Sequence, residues 1–293
     1  MPRYVEPVFR PPSEARSLIF QITIGCSQNS CAFCGMYKGK SFRVRPVEEI
    51  IEEINSIPER FRLQVERVFL ADGDALVYPY EGLASILDEL SIAFPALNRI
   101  GAYASPNSLA TKSAEQLATL CGKRLRILYF GLESGDDDTL DSVNKGYTSA
   151  RMAELALAAR QAGMKLSVTA ILGLAGRERS LDHARATAEW VNRVNPEYFS
   201  LLTLFHRNNE RFVRNLEQCT RRELMLEARE MLLHLNPHRT ILRSNHISNF
   251  LDLTGSYPKD RERLIADLDA ALTKAALQPG FLDAAPVYSE EYY

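Results

Sequence analysis

What the chain lacks excludes several classes of protein. Its 293 residues carry 35 basic and 37 acidic side chains, a net charge of −2, so it has no basic excess for binding nucleic acid mainly through phosphates. No apolar run reaches the ~18 residues of a membrane-spanning helix, and MPRYVEPVFRPPSEAR at the N-terminus lacks the apolar core of a signal peptide. The apolar fraction of 46% is ordinary for a globular chain. We therefore expect a cytoplasmic protein without a membrane partner.

Cysteine is scarce, and its distribution is uneven. Five cysteines are an odd number, which does not make a disulfide framework. Cys26, Cys31 and Cys34 fall within nine residues, in a loop after the first predicted strand. Three thiolates on a short loop can ligate a [4Fe–4S] cluster and leave one iron open to another ligand. A zinc site or plain buried thiols are the alternatives, but structural zinc takes four protein ligands and no histidine lies nearby. Cys121 and Cys219 are isolated, so they are predicted to be buried thiols that hold no second cluster.

Strand-like and helical patterns alternate along most of the chain. Strand-like runs start near residues 18, 65, 99, 124, 165 and 198, at intervals close to the roughly 30 residues of a parallel β/α unit. Helices are predicted between them, for example where apolar residues recur at helical spacing from Val47. Ser113 with Gln116, and Thr220 with Glu223, are typical of capping boxes. Six such units predict an α/β fold, a parallel (β/α)6-type partial TIM barrel; a doubly wound open sheet is the alternative.

The predicted organisation has three parts. Residues 1–16 form an N-terminal extension, 17–206 form the partial barrel, and 207–293 form a mostly helical C-terminal extension that caps the substrate. A short apolar run at Thr240–Arg243 interrupts the helical pattern of the last part. With only about 90 residues after the sixth strand, this part has room for a cap but not for a typical second domain.

Polar or glycine-rich segments follow each predicted strand. In parallel barrels the active site lies at the carboxyl ends of the strands, so we expect these segments to meet the cysteine loop at one mouth. Taken alone, each is also compatible with a turn, a cap or a loop. The segments are Asp72-Gly73-Asp74, Pro106-Asn107, Glu133-Ser134-Gly135, Gly173 to Gly176, and His206.

Two further polar segments are candidate sites. Arg243 opens a polar run to Asn249 in which Arg243 is predicted to clamp a carboxylate or phosphate and His246 to transfer a proton. A helix cap with structural hydrogen bonds is the alternative for this run. The basic residues that follow the cysteines either compensate an anionic cluster or substrate, or form a solvated loop; they are Lys38, Lys40, Arg43 and Arg45.

The cysteine loop resembles that of the radical SAM superfamily. Members carry three cluster cysteines after the first barrel strand, commonly spaced by three residues and then two, whereas this chain has four and then two. Phe33, directly before the last cysteine, fits the family pattern, in which that aromatic residue lies by the adenine of S-adenosylmethionine (SAM). The phrase ending in Glu133-Ser134-Gly135 is similar to one in methylthiotransferase-like branches. The resemblance extends from about Ser17 to Phe205.

The resemblance implies roles for the strand-end segments. Asp72, Gly73 and Asp74 would hold the amino group of SAM. Glu133 and Ser134 would contact its methionine or ribose, and the backbone at Gly173 would approach its nucleoside.

The resemblance also implies the function and the cofactors, a [4Fe–4S] cluster and SAM. The chain would be an oxidoreductase-type radical SAM enzyme that cleaves SAM reductively to a 5′-deoxyadenosyl radical, which abstracts hydrogen from a substrate. We expect a small-molecule substrate and an electron donor such as flavodoxin or ferredoxin. An RNA-modifying radical SAM enzyme and a non-enzymatic iron–sulfur or zinc module are the alternatives.

Overall fold

The chain divides into two compact units. A computed structural model describes residues 3–205, 208–246, 248–249 and 252–286, so the predicted site residue His206 lies outside the described residues. The first unit comprises Met1–Asn29, Tyr37–Gly131 and Glu154–Leu166, and the second comprises Ser30–Met36, Leu132–Ala153 and Ser167–Tyr293. The boundaries predicted after residues 16 and 206 stay predictions.

Every strand-like run of the sequence forms a strand. Strands also occur in segments of two or three residues that show no pattern in the sequence. The strands are β1 (Leu18–Gln21), β2 (Thr23–Ile24), β3 (Arg43–Val44), β4 (Arg67–Ala71), β5 (Arg99–Ala104), β6 (Leu125–Glu133), β7 (Lys165–Leu172), β8 (Tyr198–Thr203), β9 (Ile241–Arg243) and β10 (Thr254–Ser256).

Helices follow most strands, and both predicted capping boxes are present. Ser113 caps one helix together with Gln116, and Thr220 caps another together with Glu223. None of the described helices is both long and apolar enough to cross a membrane. The helices are α1 (Val47–Asn55), α2 (Glu59–Arg62), α3 (Tyr80–Ala93), α4 (Pro106–Ala110), α5 (Ala114–Gly122), α6 (Asp137–Ser142), α7 (Ser149–Gln161), α8 (Gly176–Val194), α9 (Glu210–Arg214), α10 (Arg221–His234) and α11 (Arg261–Ala275).

The first unit is built on parallel strands in the order β1, β4, β5, β6. Helix α3 packs against α1 and α5 and buries Leu83, Ile86 and Leu90 completely. Gln21 at the end of β1 pairs with Ala71 at the end of β4. The loops that carry Cys26 and Asp72 therefore leave the sheet side by side.

The second unit has the same kind of architecture. Strands β7, β8 and β9 are parallel, and β10 runs antiparallel to β9. Helix α10 packs against both α8 and α11. Strand β9 is the short apolar run predicted at Thr240–Arg243, and it extends the parallel sheet by pairing with β8. The C-terminal region is otherwise helical, as predicted.

Candidate active site

The cysteine loop starts from the end of the first two strands. Gly25 has a φ of +75°, a conformation that glycine adopts without strain, and turns the chain into Cys26. Cys31 and Cys34 belong to the second unit, where the Cys34 amide donates to the Cys31 carbonyl oxygen at 3.3 Å and the Ala32 amide to the Val143 carbonyl oxygen at 2.9 Å. None of the three cysteines forms a disulfide.

The donor set fits an iron–sulfur cluster. Among the described residues, no three or more His, Cys, Asp or Glu side chains are gathered closely enough to hold a metal ion. Thiolates around a cluster stand further apart than ligands of a single ion, because bridging sulfides lie between them. Cys26 and Cys34 are partly exposed and Cys31 is buried, and thiolate is the ligand that such clusters take.

Asp72 holds the start of the cysteine loop. Its Oδ2 accepts hydrogen bonds from Lys40 Nζ at 2.8 Å, from Gln21 Nε2 at 3.0 Å and from the Gly25 amide at 3.0 Å. Asp72 is completely buried and Lys40 is nearly so. A buried carboxylate is stable when it is paired and hydrogen-bonded in this way. In the structure this side chain fixes the loop, and its predicted contact with SAM stays a prediction.

Gly73 lies directly against the cysteine loop. Its amide donates to the Gly25 carbonyl oxygen at 3.1 Å. A Cβ atom at this position would stand 2.9 Å from the Cβ of Cys26 and 2.6 Å from Cε2 of Tyr37. Such contacts are too short, so only glycine lets the loop after β4 approach Cys26 this closely.

Asp74 joins the cysteine loop to the end of β5. Its carboxylate accepts from the hydroxyl of Ser27, from Ser105 Oγ at 2.7 Å and from the Ser105 amide at 3.1 Å. Asn107 Nδ2 donates to Ser27 Oγ at 3.0 Å. Burial raises the pKa of Asp74 and these hydrogen bonds oppose the rise. Within the first unit, the predicted convergence of the strand-end segments after β1, β4 and β5 is thus present.

Glu133 ends β6 in a strained conformation. Its φ is +66°, which is uncommon for a residue other than glycine and is concentrated at functional sites. Its Oε1 accepts from Lys145 Nζ at 3.2 Å, and both side chains are mostly buried. Ser134 is fully buried, and its Oγ accepts from the Asp136 amide at 2.9 Å. Lys145 is therefore a partner of the predicted site residue Glu133.

Gly173 is held by a buried acid that sequence reasoning missed. Its φ is +79°, and its amide lies 3.1 and 3.0 Å from the two carboxylate oxygens of Glu227. His183 Nδ1 lies 2.7 Å from Glu227 Oε1, and both of these side chains are completely buried. Glu227 is 54 positions away from Gly173 along the chain, so no local pattern indicates the pair.

Phe33 packs in an apolar cluster with Val143, Leu174 and Leu204. Its carbonyl oxygen accepts from Asn209 Nδ2 at 2.6 Å. Sequence reasoning missed Asn209 as well, because it lies 176 positions from Phe33.

Arg243 and His246 lie in the second unit at and after β9. The guanidinium carbon of Arg243 lies 4.5 Å from the ring centroid of Tyr198. His246 Nδ1 accepts from the Ser248 amide at 3.2 Å, so the neutral ring carries its proton on Nε2. The His246 ring meets Phe205 edge to face at 5.5 Å, and burial lowers the pKa of His246.

The basic residues after the cysteines do not share one environment. Lys40 is buried against Asp72, and Arg45 is buried with Glu53 at 2.8 Å. Lys38 and Arg43 are exposed. Two of the four residues thus form buried ion pairs with acidic side chains. Neither charge compensation nor a solvated loop describes all four.

Comparison with solved structures identifies the fold. Methylornithine synthase matches 94% of this chain and 84% of its own, with a TM-score of 0.52 and 14% identity. Coproporphyrinogen III oxidase from Escherichia coli, a radical SAM enzyme, matches 74% of this chain and 50% of its own, with a TM-score of 0.54 and 16% identity. The predicted α/β fold, a mostly parallel sheet of the partial TIM barrel type, is confirmed.

The family follows from the sequence match. The model of the radical SAM superfamily matches residues 20–191, and the chain belongs to that superfamily. It is therefore a radical SAM enzyme, whose cofactors are a [4Fe–4S] cluster and SAM. A radical SAM methyltransferase from Kitasatospora setae, solved with cobalamin and a [4Fe–4S] cluster, matches 92% of this chain and 55% of its own, at a TM-score of 0.53 and 15% identity.

One curated relative is also similar. It comes from Methanocaldococcus jannaschii, and its name describes it provisionally as a methylthiotransferase. The two are 24% identical over 152 residues, 49% of this chain. This chain covers only 32% of that relative's length.

Proposed function

We propose that this enzyme cleaves SAM reductively and uses the resulting radical to abstract hydrogen from a small-molecule substrate. The observation that carries the proposal is the set of three cysteines without a disulfide, Cys26, Cys31 and Cys34, within the segment that matches the superfamily. These three thiolates would hold the [4Fe–4S] cluster. When bound, the cluster and SAM supply the radical chemistry, with electrons from a reductase partner of the flavodoxin or ferredoxin type.

The first unit contributes side chains that hold the loops of the site. Asp72 and Lys40 fix the turn before Cys26, and Gly73 allows close approach to it. Asp74 ties Ser27 to Ser105. We propose that this Asp72-Gly73-Asp74 segment faces the amino group of SAM, a cation that needs acceptors.

Four other residues are proposed to contact SAM. We propose that Phe33 packs by the adenine and that Gly173 lets the backbone approach the nucleoside. Glu133 and Ser134 are proposed to contact the methionine or ribose. The positive φ of Glu133 and its mostly buried ion pair with Lys145 support this role, because strained residues of this kind cluster at functional sites.

The test is anaerobic reconstitution with iron and sulfide, followed by addition of SAM and dithionite. The parent should bind about four irons per chain and release 5′-deoxyadenosine. Cys26→Ala, Cys31→Ala and Cys34→Ala should each lose both properties, because each removes a thiolate ligand.

Two other cysteines supply matched controls. Cys121 and Cys219 are buried. Burial raises the pKa of Cys219 to about 12, so Cys219 presents no ready thiolate. Cys121→Ala and Cys219→Ala should keep iron and SAM cleavage. Stoichiometric zinc without iron uptake in the parent would contradict the proposal and favour a zinc module.

A further inference from the structure

A row of polar side chains crosses the sheet of the second unit. In the strand register, Thr169 of β7 pairs with Ser200 of β8, and Ser200 pairs with Arg243 of β9. Thr254 of β10 pairs with Arg243 on its other side. Directly paired residues on neighbouring strands point to the same face of a sheet. These four side chains therefore form one row on one face.

The row lies on the open face of the sheet. Residues that alternate with it, such as Val168, Phe199 and Leu242, are completely buried. Thr169, Ser200 and Arg243 are only partly buried. In barrels of this fold the helices cover the outer face, and the other face lines the interior. Active sites lie at the carboxyl ends of the strands, and Arg243 is the last residue of β9.

Arg243 lacks the hydrogen bonds that other partly buried arginines of the described chain make. Three of these arginines pair with acidic side chains, namely Arg99, Arg179 and Arg229. Others donate to backbone carbonyl oxygens, namely Arg62, Arg124, Arg221 and Arg261. Within the described residues, the contact of the Arg243 guanidinium is the ring of Tyr198, and no acidic side chain pairs with it.

Stacking on Tyr198 leaves the donors of Arg243 available. The guanidinium is planar, and an aromatic ring contacts its face while the N–H groups point outward along its edge. The hydroxyls of Thr169 and Ser200 likewise have no side-chain partner among the described residues. Because these side chains are only partly buried, their donors stay accessible to a bound acceptor.

We infer that Arg243, assisted by the hydroxyl of Ser200, binds an oxoanion group of the substrate, a carboxylate or a phosphate. The planar fork of arginine matches both anions with two parallel hydrogen bonds. The inference rests on the proposed function and narrows its substrate to an anionic small molecule. Thr169, at the end of the row, extends the polar surface beyond the anion.

The test is chemical modification of the intact, reconstituted enzyme with phenylglyoxal, followed by peptide mass spectrometry. Inorganic phosphate and succinate are the probes, added separately. One or both should slow modification of Arg243, about tenfold when the anion stands near ten times its dissociation constant. Arg239, exposed and four residues earlier, is the internal control whose rate should not change. The probe that protects distinguishes phosphate from carboxylate.

Two variants test the roles of Ser200 and Arg243 separately. Ser200→Ala should raise the anion concentration that gives half-protection, and Arg243→Lys should lower phosphate or succinate binding measured by calorimetry. Equal modification rates with and without both anions would overturn the inference. So would protection by SAM alone, since Arg243 would then hold the SAM carboxylate. 5′-Deoxyadenosine release from the same preparation tests the proposed function separately.

Discussion

The strand-end carboxylate Glu133 combines an unusual backbone with a mostly buried charge. Its positive φ and its bond to Lys145 place a preorganised acceptor at the end of β6. Glu133→Gln should weaken SAM binding about tenfold or more, because a hydrogen bond to a charged group contributes roughly 1.5–3 kcal/mol. Iron content should not change. Calorimetric titration of SAM measures the effect.

An exposed acid of the same unit serves as control for that prediction. Glu178 lies in the first turn of α8 and is exposed. Glu178→Gln should leave SAM affinity at the parental value. If Glu133→Gln also binds SAM like the parent, Glu133 only caps the next turn.

His246 makes the stability of the fold depend on pH. Burial lowers its pKa below the ordinary 6.5, so near pH 6 the unfolded chain binds this proton more readily than the folded one. The free energy of unfolding should therefore rise as pH increases toward the ordinary pKa of 6.5 and level off above it. His246→Gln should flatten that rise in urea unfolding at several pH values.

A surface histidine is the reference for the pH measurement. His238 is exposed, and His238→Gln should keep the slope of the parent. An unchanged slope in His246→Gln would show that His246 is solvated in the folded chain.

At the scale of elements, the turn after β6 packs closely against the backbone of α8 at Gly135. A Cβ atom at Gly135 would stand 2.4 Å from the Ala186 carbonyl oxygen and 2.6 Å from Cα of Thr187. Both contacts are with backbone atoms of α8, which cannot move aside as a flexible side chain can. Gly135→Ala should lower the free energy of unfolding by about 3 kcal/mol or more, the upper range for overpacking. Urea unfolding of the parent and the variant measures the change.

The same substitution elsewhere separates crowding from backbone entropy. Gly122 ends α5, and a Cβ there would meet nothing within 4 Å. Gly122→Ala should be neutral or stabilising by roughly 0.5–1 kcal/mol. Equal effects of the two variants would contradict the close packing of Gly135 against the backbone of α8.

The strands that sequence reasoning found are those with apolar runs, most of them long. β6 and β7, of nine and eight residues, carry enough apolar side chains to reveal a strand. β3 and β10 have two and three residues, too few for any periodicity. Their pairing depends on residues that are distant in sequence, so it emerges only in the fold.

The same reason limits what could be predicted of the site. The three cysteines form a local pattern, and strand-end positions follow from the alternation of strands and helices. Partners such as Lys40 for Asp72 and Glu227 for Gly173 lie 32 and 54 positions away. These pairs form only when the chain folds, so no local spacing in the sequence predicts them.

At the scale of the whole molecule, SAM should stabilise the loaded chain and not the cluster-free one. A ligand that binds only the folded state adds about 2.7 kcal/mol of stability at 100 times its dissociation constant. The coordination position that is open to SAM exists only where the cluster is present. Thermal unfolding of the anaerobic, reconstituted parent with and without SAM should therefore show a clear rise in Tm.

Two variants make the comparison specific to the cluster. Cys34→Ala, which lacks one predicted ligand, should show little or no rise in Tm at the same SAM concentration, whereas Cys121→Ala should show the full rise. A rise of parental size in Cys34→Ala would mean that protein contacts alone bind SAM. In that case Asp74, Glu133 and Gly173 would supply the affinity, and the cysteine loop would contribute to the chemistry but not to binding.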